Sequence, residues 1–426
     1  MTVGQRGSAP GLAVLAGLVL GAFSQAPGAQ EHETHSRHGH PTVVEDDALT
    51  LVQVLDAAVM NYPETPMLVA RSEVAEAWEA RGRDWLSERP EVSLRYQTDR
   101  WQDDNRLEEY EAGILLPLWS WGGRSAAQSL GEAMRTEYGA ASGSLRWDVA
   151  GHLRSALWSL ALAYEDARLA EDALDVAARV AEIVGRRHEL GDAALRDLLL
   201  AQSAELDART GLISVRAGVV DAEWTYRALT GMSSRPAFQP EALSSRQNVR
   251  PDHPALARAD AEIQRAEAAV AVAETGTSSG PSLLLGPRRE RAAGDRSFDD
   301  SIGITMNIPF GPSGQRKMHV AEARLELIQA SAARARLMRR LNLERHEAAH
   351  GLGVVRDSLA PARGQAELAD RQQRMGLLAY EKGEIELTEL LRLQGMALAA
   401  RRRSRRLAIE EHRQIAFYNQ AVGELP

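Results

Sequence analysis

Two apolar periodicities divide the chain. Ile302, Ile304, Met306, Ile308 and Phe310 alternate with Ser301, Gly303, Thr305, Asn307 and Pro309. A period of two over this stretch predicts a strand with one apolar and one polar face. Tyr110, Ala112, Ile114, Leu116 and Leu118 repeat the pattern, and Val92, Leu94 and Tyr96 mark a strand before it. A weaker counterpart surrounds Leu283 and Leu285. Charged loops, 99–108 and 289–300, join the members of each pair. Elsewhere the period is helical. Leu153, Leu157, Leu160, Tyr164 and Ala167 recur in steps of four and three, a coiled-coil seam. No proline falls between Leu118 and Arg235, so a helix from Arg124 to His188 can run unbroken for roughly 95–100 Å. Gly191 then reverses the chain, and a second helix returns to about Gly231. Pro361 interrupts the corresponding later helix and predicts a kink or break there.

These elements occur twice, 192 residues apart. Pro117, Gly122 and Arg124 match Pro309, Gly314 and Arg316. Gly191, Leu195, Leu198, Leu199 and Gln202 match Gly383, Leu387, Leu390, Leu391 and Gln394, and Tyr226 and Gly231 meet Tyr418 and Gly423. A repeat of this size is a duplicated domain-sized unit rather than a solenoid element. Each copy has the order short helical stretch, two strands, two long helices. The expected organisation is a signal peptide at 1–29, a disordered histidine-rich arm at 30–48, a first repeat at 49–236, a linker at 237–249 and a second repeat at 250–426.

Composition narrows the function. The net charge of −9 and the 5% aromatic content argue against a nucleic-acid surface. The absence of cysteine excludes disulfides, thiolate metal sites, a cysteine nucleophile and lipid attachment at a cysteine. Arg6 followed by apolar Leu12 to Phe23, with small residues at Ala26, Gly28 and Ala29, reads as an export signal cleaved after Gly28 or Ala29. No later run of 18 apolar residues exists, so a membrane span in the mature chain has to be built from strands. Nine to eleven residues with one apolar face suit a tilted barrel strand, and the soluble alternative is a half-buried hairpin. Four strands cannot close a barrel, so several copies have to contribute: two copies give eight strands and three give twelve. Trp119 and Trp121, where strand becomes helix, fit an interfacial aromatic belt or a packed junction.

The pattern resembles the TolC family of outer-membrane efflux channels over nearly the whole mature chain. The resemblance rests on the duplicated order, on the strand exits ILLPLWSWGGR (114–124) and ITMNIPFGPSGQR (304–316), and on the tip motifs HELGDAALRDLL (188–199) and YEKGEIELTELL (380–391). NYPETPML (61–68) and RPDHPALA (250–257) resemble the family's proline-containing start of each copy. It implies a mainly helical protein with a small β part. The duplicated strand–strand–long-helix units would form a homotrimeric transmembrane β-barrel continued by a periplasmic α-helical barrel. It implies no enzymatic activity and no cofactor. The protein would sit in outer-membrane lipid as the exit duct of a tripartite pump, with a periplasmic adaptor and an inner-membrane transporter as partners. By resemblance, Leu190, Gly191 and Asp192, with Lys382, Gly383 and Glu384, form the tips that meet the adaptor. Asp197 and Glu389 match the acids lining the periplasmic constriction, while Arg392 stands where the family often has a second acid.

Two motifs suggest metals. HEAAH at 346–350 has the zincin spacing, but the third-ligand position holds Arg356, which cannot bind zinc. Four histidines, His32, His35, His38 and His40, lie beside Glu31 and Glu33 in the arm. Imidazole suits zinc, copper, nickel and cobalt, so the arm favours heavy-metal efflux over drug or small-molecule export. The arginine run at 401–406 reads as a solvated helix face. A periplasmic coiled-coil scaffold or adaptor without a pore is the competing class; it would keep the helices but has no use for the strands.

Overall fold

The computed structural model describes residues 42–101, 106–276, 280–311 and 314–426. The signal segment and His32, His35, His38 and His40 lie outside the described residues. The chain begins with β1 (Val44–Glu45), α1 (Leu51–Asn61) and α2 (Thr65–Arg83). A hairpin of β2 (Glu91–Thr98) and β3 (Glu108–Pro117) follows, then α3 (Gly123–Glu189) and α4 (Leu195–Thr230). After β4 (Ser234–Arg235) the second copy runs α5 (Pro254–Thr275), β5 (Ser282–Arg291), β6 (Asp299–Asn307), α6 (Gly314–Glu381) and α7 (Leu387–Val422). The bounds of α7 are those of α4 shifted by 192, so the repeat read in sequence is a repeat of structure. Among the described residues no helix is long and apolar enough to cross a membrane.

The four long strands form one antiparallel sheet in the order β2–β3–β5–β6. Directly paired residues share a face. Val92 pairs with Ile114, Ile114 with Leu285, and Leu285 with Ile304, so one apolar row crosses all four strands. Leu94 beside Ala112, and Leu116 beside Leu283 and Met306, extend it. The opposite face carries Arg95, Glu111, Arg288 and Ser301 across the same strands. Val92, Leu94, Ile302 and Ile304 are all exposed, so among the described residues nothing covers the apolar face. At the loop end, Glu108 is buried between Arg100 and Arg291, which closes the rim with ion pairs.

α3 and α6, with 67 and 68 residues, are each about 100 Å long. Both start from one joint. Arg124 donates to the Gly82 and Arg83 carbonyls at the end of α2 (3.1 and 2.8 Å), and Arg316 donates to the Glu274 carbonyl at the end of α5. Each repeat thus uses a cation on the orphan carbonyls of one helix to aim the next. Trp119 belongs to this joint, with its Nε1 donating to Asp84 O (3.0 Å), whereas Trp121 is fully exposed. Trp119 thus takes the packed role at the junction, and Trp121 does not.

Three expectations need correction. The arm does not stay free to residue 48: Val43 joins the core of Leu55, Leu153 and Tyr226, and β1 pairs in parallel with β4. The core reward at Val43 outweighs the polarity of the residues around it. Of the kink or break expected at Pro361, the break is absent: α6 runs on to Glu381. Pro361 lies on an exposed face, where water can satisfy the carbonyl that its missing N–H leaves free. The arginine run is not simply solvated. Arg401 pairs with Asp370 on α6, and Arg402, Arg405 and Arg406 pair with Asp166 and Glu165 on α3. It clamps α7 between its neighbours.

Segment 237–249 crosses between the repeats and is anchored at a buried site. Arg154 of α3, 1% exposed, makes a fork to both Glu241 carboxylate oxygens (2.8 and 2.7 Å) and also reaches Glu424 O (3.0 Å). Asn419 of α7 donates to Glu241 as well (3.0 Å). A buried guanidinium needs such full pairing to offset its desolvation.

Candidate functional site

The two helical tips have one backbone design. At the first, Gly191 N–H donates to His188 O (2.9 Å) and Asp192 N–H to Arg187 O (2.7 Å). At the second, Gly383 N–H donates to Tyr380 O (3.0 Å) and Glu384 N–H to Ala379 O (2.8 Å). This is the Schellman closure, which requires a left-handed residue after the helix. Gly191 and Gly383 supply it at φ +77° and +75°. No atom lies within 4 Å of where a Cβ would stand on either glycine. The constraint at both tips is therefore backbone conformation and not space. Leu190, Lys382 and Glu384 are exposed beside them.

The tips are fastened to each other. Arg187 at the end of α3 binds Asp192 Oδ2 (2.9 Å) and donates to Tyr380 O of α6 (2.9 Å), with its guanidinium 5.1 Å from the Tyr380 ring. Below it, Val180, Val184, Ala201, Tyr380, Leu387 and Leu390 form one apolar core drawn from all four long helices. Burial raises the Tyr380 phenol, so the ring acts as a neutral packing and π surface. Sequence reading missed Arg187. Its only signal was a cation in the last turn of a helix, which ordinarily marks a dipole contact.

Asp197 and Glu389 both occupy the first turn of the returning helix, α4 and α7. There an acid complements the helix N-terminus whatever else it does. Their surroundings differ. Asp197 shares a cleft of about 240 Å³ with Asp192, Tyr380, Gly383 and Thr388, and Arg196 Nε contacts it at 3.2 Å. Glu389 lies outside that lining and takes a bidentate fork from Arg392 (2.8 and 2.6 Å). The Arg392 hydrogen bonds hold the Glu389 carboxyl below its ordinary range, so it stays charged as pH falls into that range. The structure therefore brings Asp192, Asp197 and Gly383 together and joins Glu389 to Arg392.

The zincin spacing has no metal chemistry around it. His346 and His350 lie in parallel at 6.4 Å on an exposed face of α6, and Arg356 is occupied by Glu411 at 3.0 Å. Among the described residues no group of three histidine or acidic side chains is placed to hold an ion.

Comparison with known proteins agrees with this architecture. Residues 87–232 match the family described as outer membrane efflux protein. The cobalt-zinc-cadmium resistance protein CzcC of Cupriavidus metallidurans is 26% identical over 68% of this chain and 71% of its own length. Protein CyaE of Bordetella pertussis is 26% identical over 89% of this chain and 85% of its own. The Campylobacter jejuni CmeC outer membrane channel shares the fold, with a TM-score of 0.69 over 87% of this chain and 85% of that chain, at 16% identity. With the duplicated sheet-and-helix units and the two matched tips, these show a chain similar to outer membrane efflux proteins, with the fold of the TolC-like outer-membrane channels.

Proposed function

We propose that the chain assembles as a homotrimer and serves as the passive exit duct of a tripartite pump for heavy-metal cations. The observation that carries the assembly is the sheet. Among the described residues its apolar face is uncovered and the outer edges of β2 and β6 have no strand partner. In hydrocarbon each unsatisfied edge group costs several kcal/mol. Placing β6 of one copy beside β2 of the next satisfies both edges and preserves the antiparallel alternation. The long helices then continue the barrel as a hollow periplasmic tube. An inner-membrane transporter and a periplasmic adaptor complete the pump, with the adaptor meeting Leu190–Gly191–Asp192 and Lys382–Gly383–Glu384. The poreless scaffold has no role for the sheet.

Two features support metal as cargo: the resemblance to CzcC and the four arm histidines at 32, 35, 38 and 40. A deletion strain tested against cobalt, zinc, cadmium and a panel of drugs decides the cargo. Sensitivity to the metals, restored by the intact gene, is expected. Sensitivity to the drugs alone would assign the duct to small-molecule export.

At the constriction, one acid per copy becomes a ring, and a ring of like charges favours cations and binds divalent ions. Arg392 neutralises part of the Glu389 ring. Single-channel recordings should therefore show lower cation selectivity and weaker divalent block in Glu389→Ala, and the opposite in Arg392→Ala. Asp197→Ala should act in the same direction as Glu389→Ala. If neither acid variant changes selectivity or block, these carboxylates do not line the constriction.

A further inference from the structure

The repeat offers a template for a contact that a single copy cannot make. Within the copy, α3 packs on α4 and α7, and α7 packs on α6, so the long helices stand in the row α4–α3–α7–α6. α4 and α6 end that row. The contact between repeats is α3 against α7. At its centre Trp158 packs with Ala161, Ile409 and Ala416, and its ring lies 5.9 Å from His412. Glu165 and Asp166 on α3 take Arg405, Arg402 and Arg406 of α7 below it.

The 192-residue offset turns α3 into α6 and α7 into α4. Trp158 becomes His350 and Arg154 becomes His346; Ala416 becomes Trp224, His412 becomes Val220, and Ile409 becomes Ala217. The equivalents that α7 and the linker bury on α3 are open on α6: His346 and His350 are exposed. On α4, Trp224 is 65% exposed and Ile213 and Ala217 are also open. The sizes are complementary. Within the copy, the indole comes from the α3 side and meets alanine. On the open faces, the indole comes from the α4 side, opposite the smaller imidazole. Each pairing holds one indole, with its source exchanged.

We propose that the open α6 face of one copy seats on the open α4 face of the next in the register of the α3–α7 contact, placing His350 against Trp224 of the adjacent copy. This rests on the homotrimer reading and adds its helical register. The two seams then differ in polarity. Thr210, Ile213 and Ser214 stand where Arg402, Arg405 and Arg406 stand, and Asp357 and Ser358 where Glu165 and Asp166 stand. The ion clamp that closes the seam within a copy has no equivalent between copies, and ring packing at His350 and Trp224 fixes the alignment there.

The chain has no cysteine, so thiols can be introduced without background. In the full-length protein in outer membranes, a short bis-maleimide should link His350→Cys with Trp224→Cys into dimers and trimers on a denaturing gel. His350→Cys with Val220→Cys, which keeps the indole, should do the same. His350→Cys with Thr210→Cys should not, because Thr210 lies on the same face about 21 Å along the helix. A native trimer that links through Thr210, or through neither Trp224 nor Val220, overturns the register and leaves the trimer standing. A monomer by native mass measurement overturns both.

Discussion

Ile304→Arg should abolish assembly in the outer membrane, whereas Thr305→Arg, one residue away at the same depth, should leave it largely intact. Ile304 ends the apolar row Val92–Ile114–Leu285–Ile304, while Thr305 points to the face that carries Arg95, Glu111 and Arg288. A lipid-facing arginine near mid-membrane costs about 2–4 kcal/mol in a barrel, and threefold symmetry triples that to roughly 6–12 kcal/mol per assembly. An arginine on the interior face meets water, in a row that runs through Leu284 and Leu115 to Glu91. The readout is the heat-resistant trimer band in outer-membrane fractions. Equal loss in both variants would show that the two faces are not differently solvated, and the barrel reading of the sheet would fall.

Gly383→Val should abolish efflux and adaptor cross-linking while the trimer persists. A side chain with a Cβ at φ +75° is strained by about 1–2 kcal/mol, and β-branching adds to that. The strain is confined to the tip. The surrounding space is empty, and the core of Val184, Tyr380, Leu387 and Leu390 lies behind it. Gly383→Asn, which tolerates the left-handed region, should recover much of the function. Both variants are assayed by resistance in cells and by trimer recovery after extraction. Loss of the trimer in Gly383→Val would assign the glycine to folding and not to docking.

Much of the architecture was legible because it rests on periodicity. A period of two at 302–310 and steps of four and three at 153–167 each have one structural solution, and the offset of 192 carries α2, β2, β3, α3 and α4 onto α5, β5, β6, α6 and α7. What the sequence left hidden depends on partners far along the chain. Arg401–Arg406 reads as a solvated run until α3 brings Asp166 and Glu165 beside it. Val43 looks like part of a polar arm until Leu55 and Leu153 form a core around it. The tip glycines were visible, since few residues other than glycine serve the left-handed closure, but the Arg187 bridge between the tips was not. Past the second tip, sequence placed Glu389 and Arg392 three residues apart on one helix, and the structure closes them into a bidentate pair.

The central claim is that each copy supplies four strands to a pore it cannot build alone. Native mass measurement of the detergent-extracted protein, followed by reconstitution of the same sample in planar bilayers, tests it most directly. The expected result is a mass of three chains, each 46.5 kDa less any removed leader, and stepwise conductance that disappears when the sample is dissociated to monomers. A stable monomer that conducts would contradict the claim.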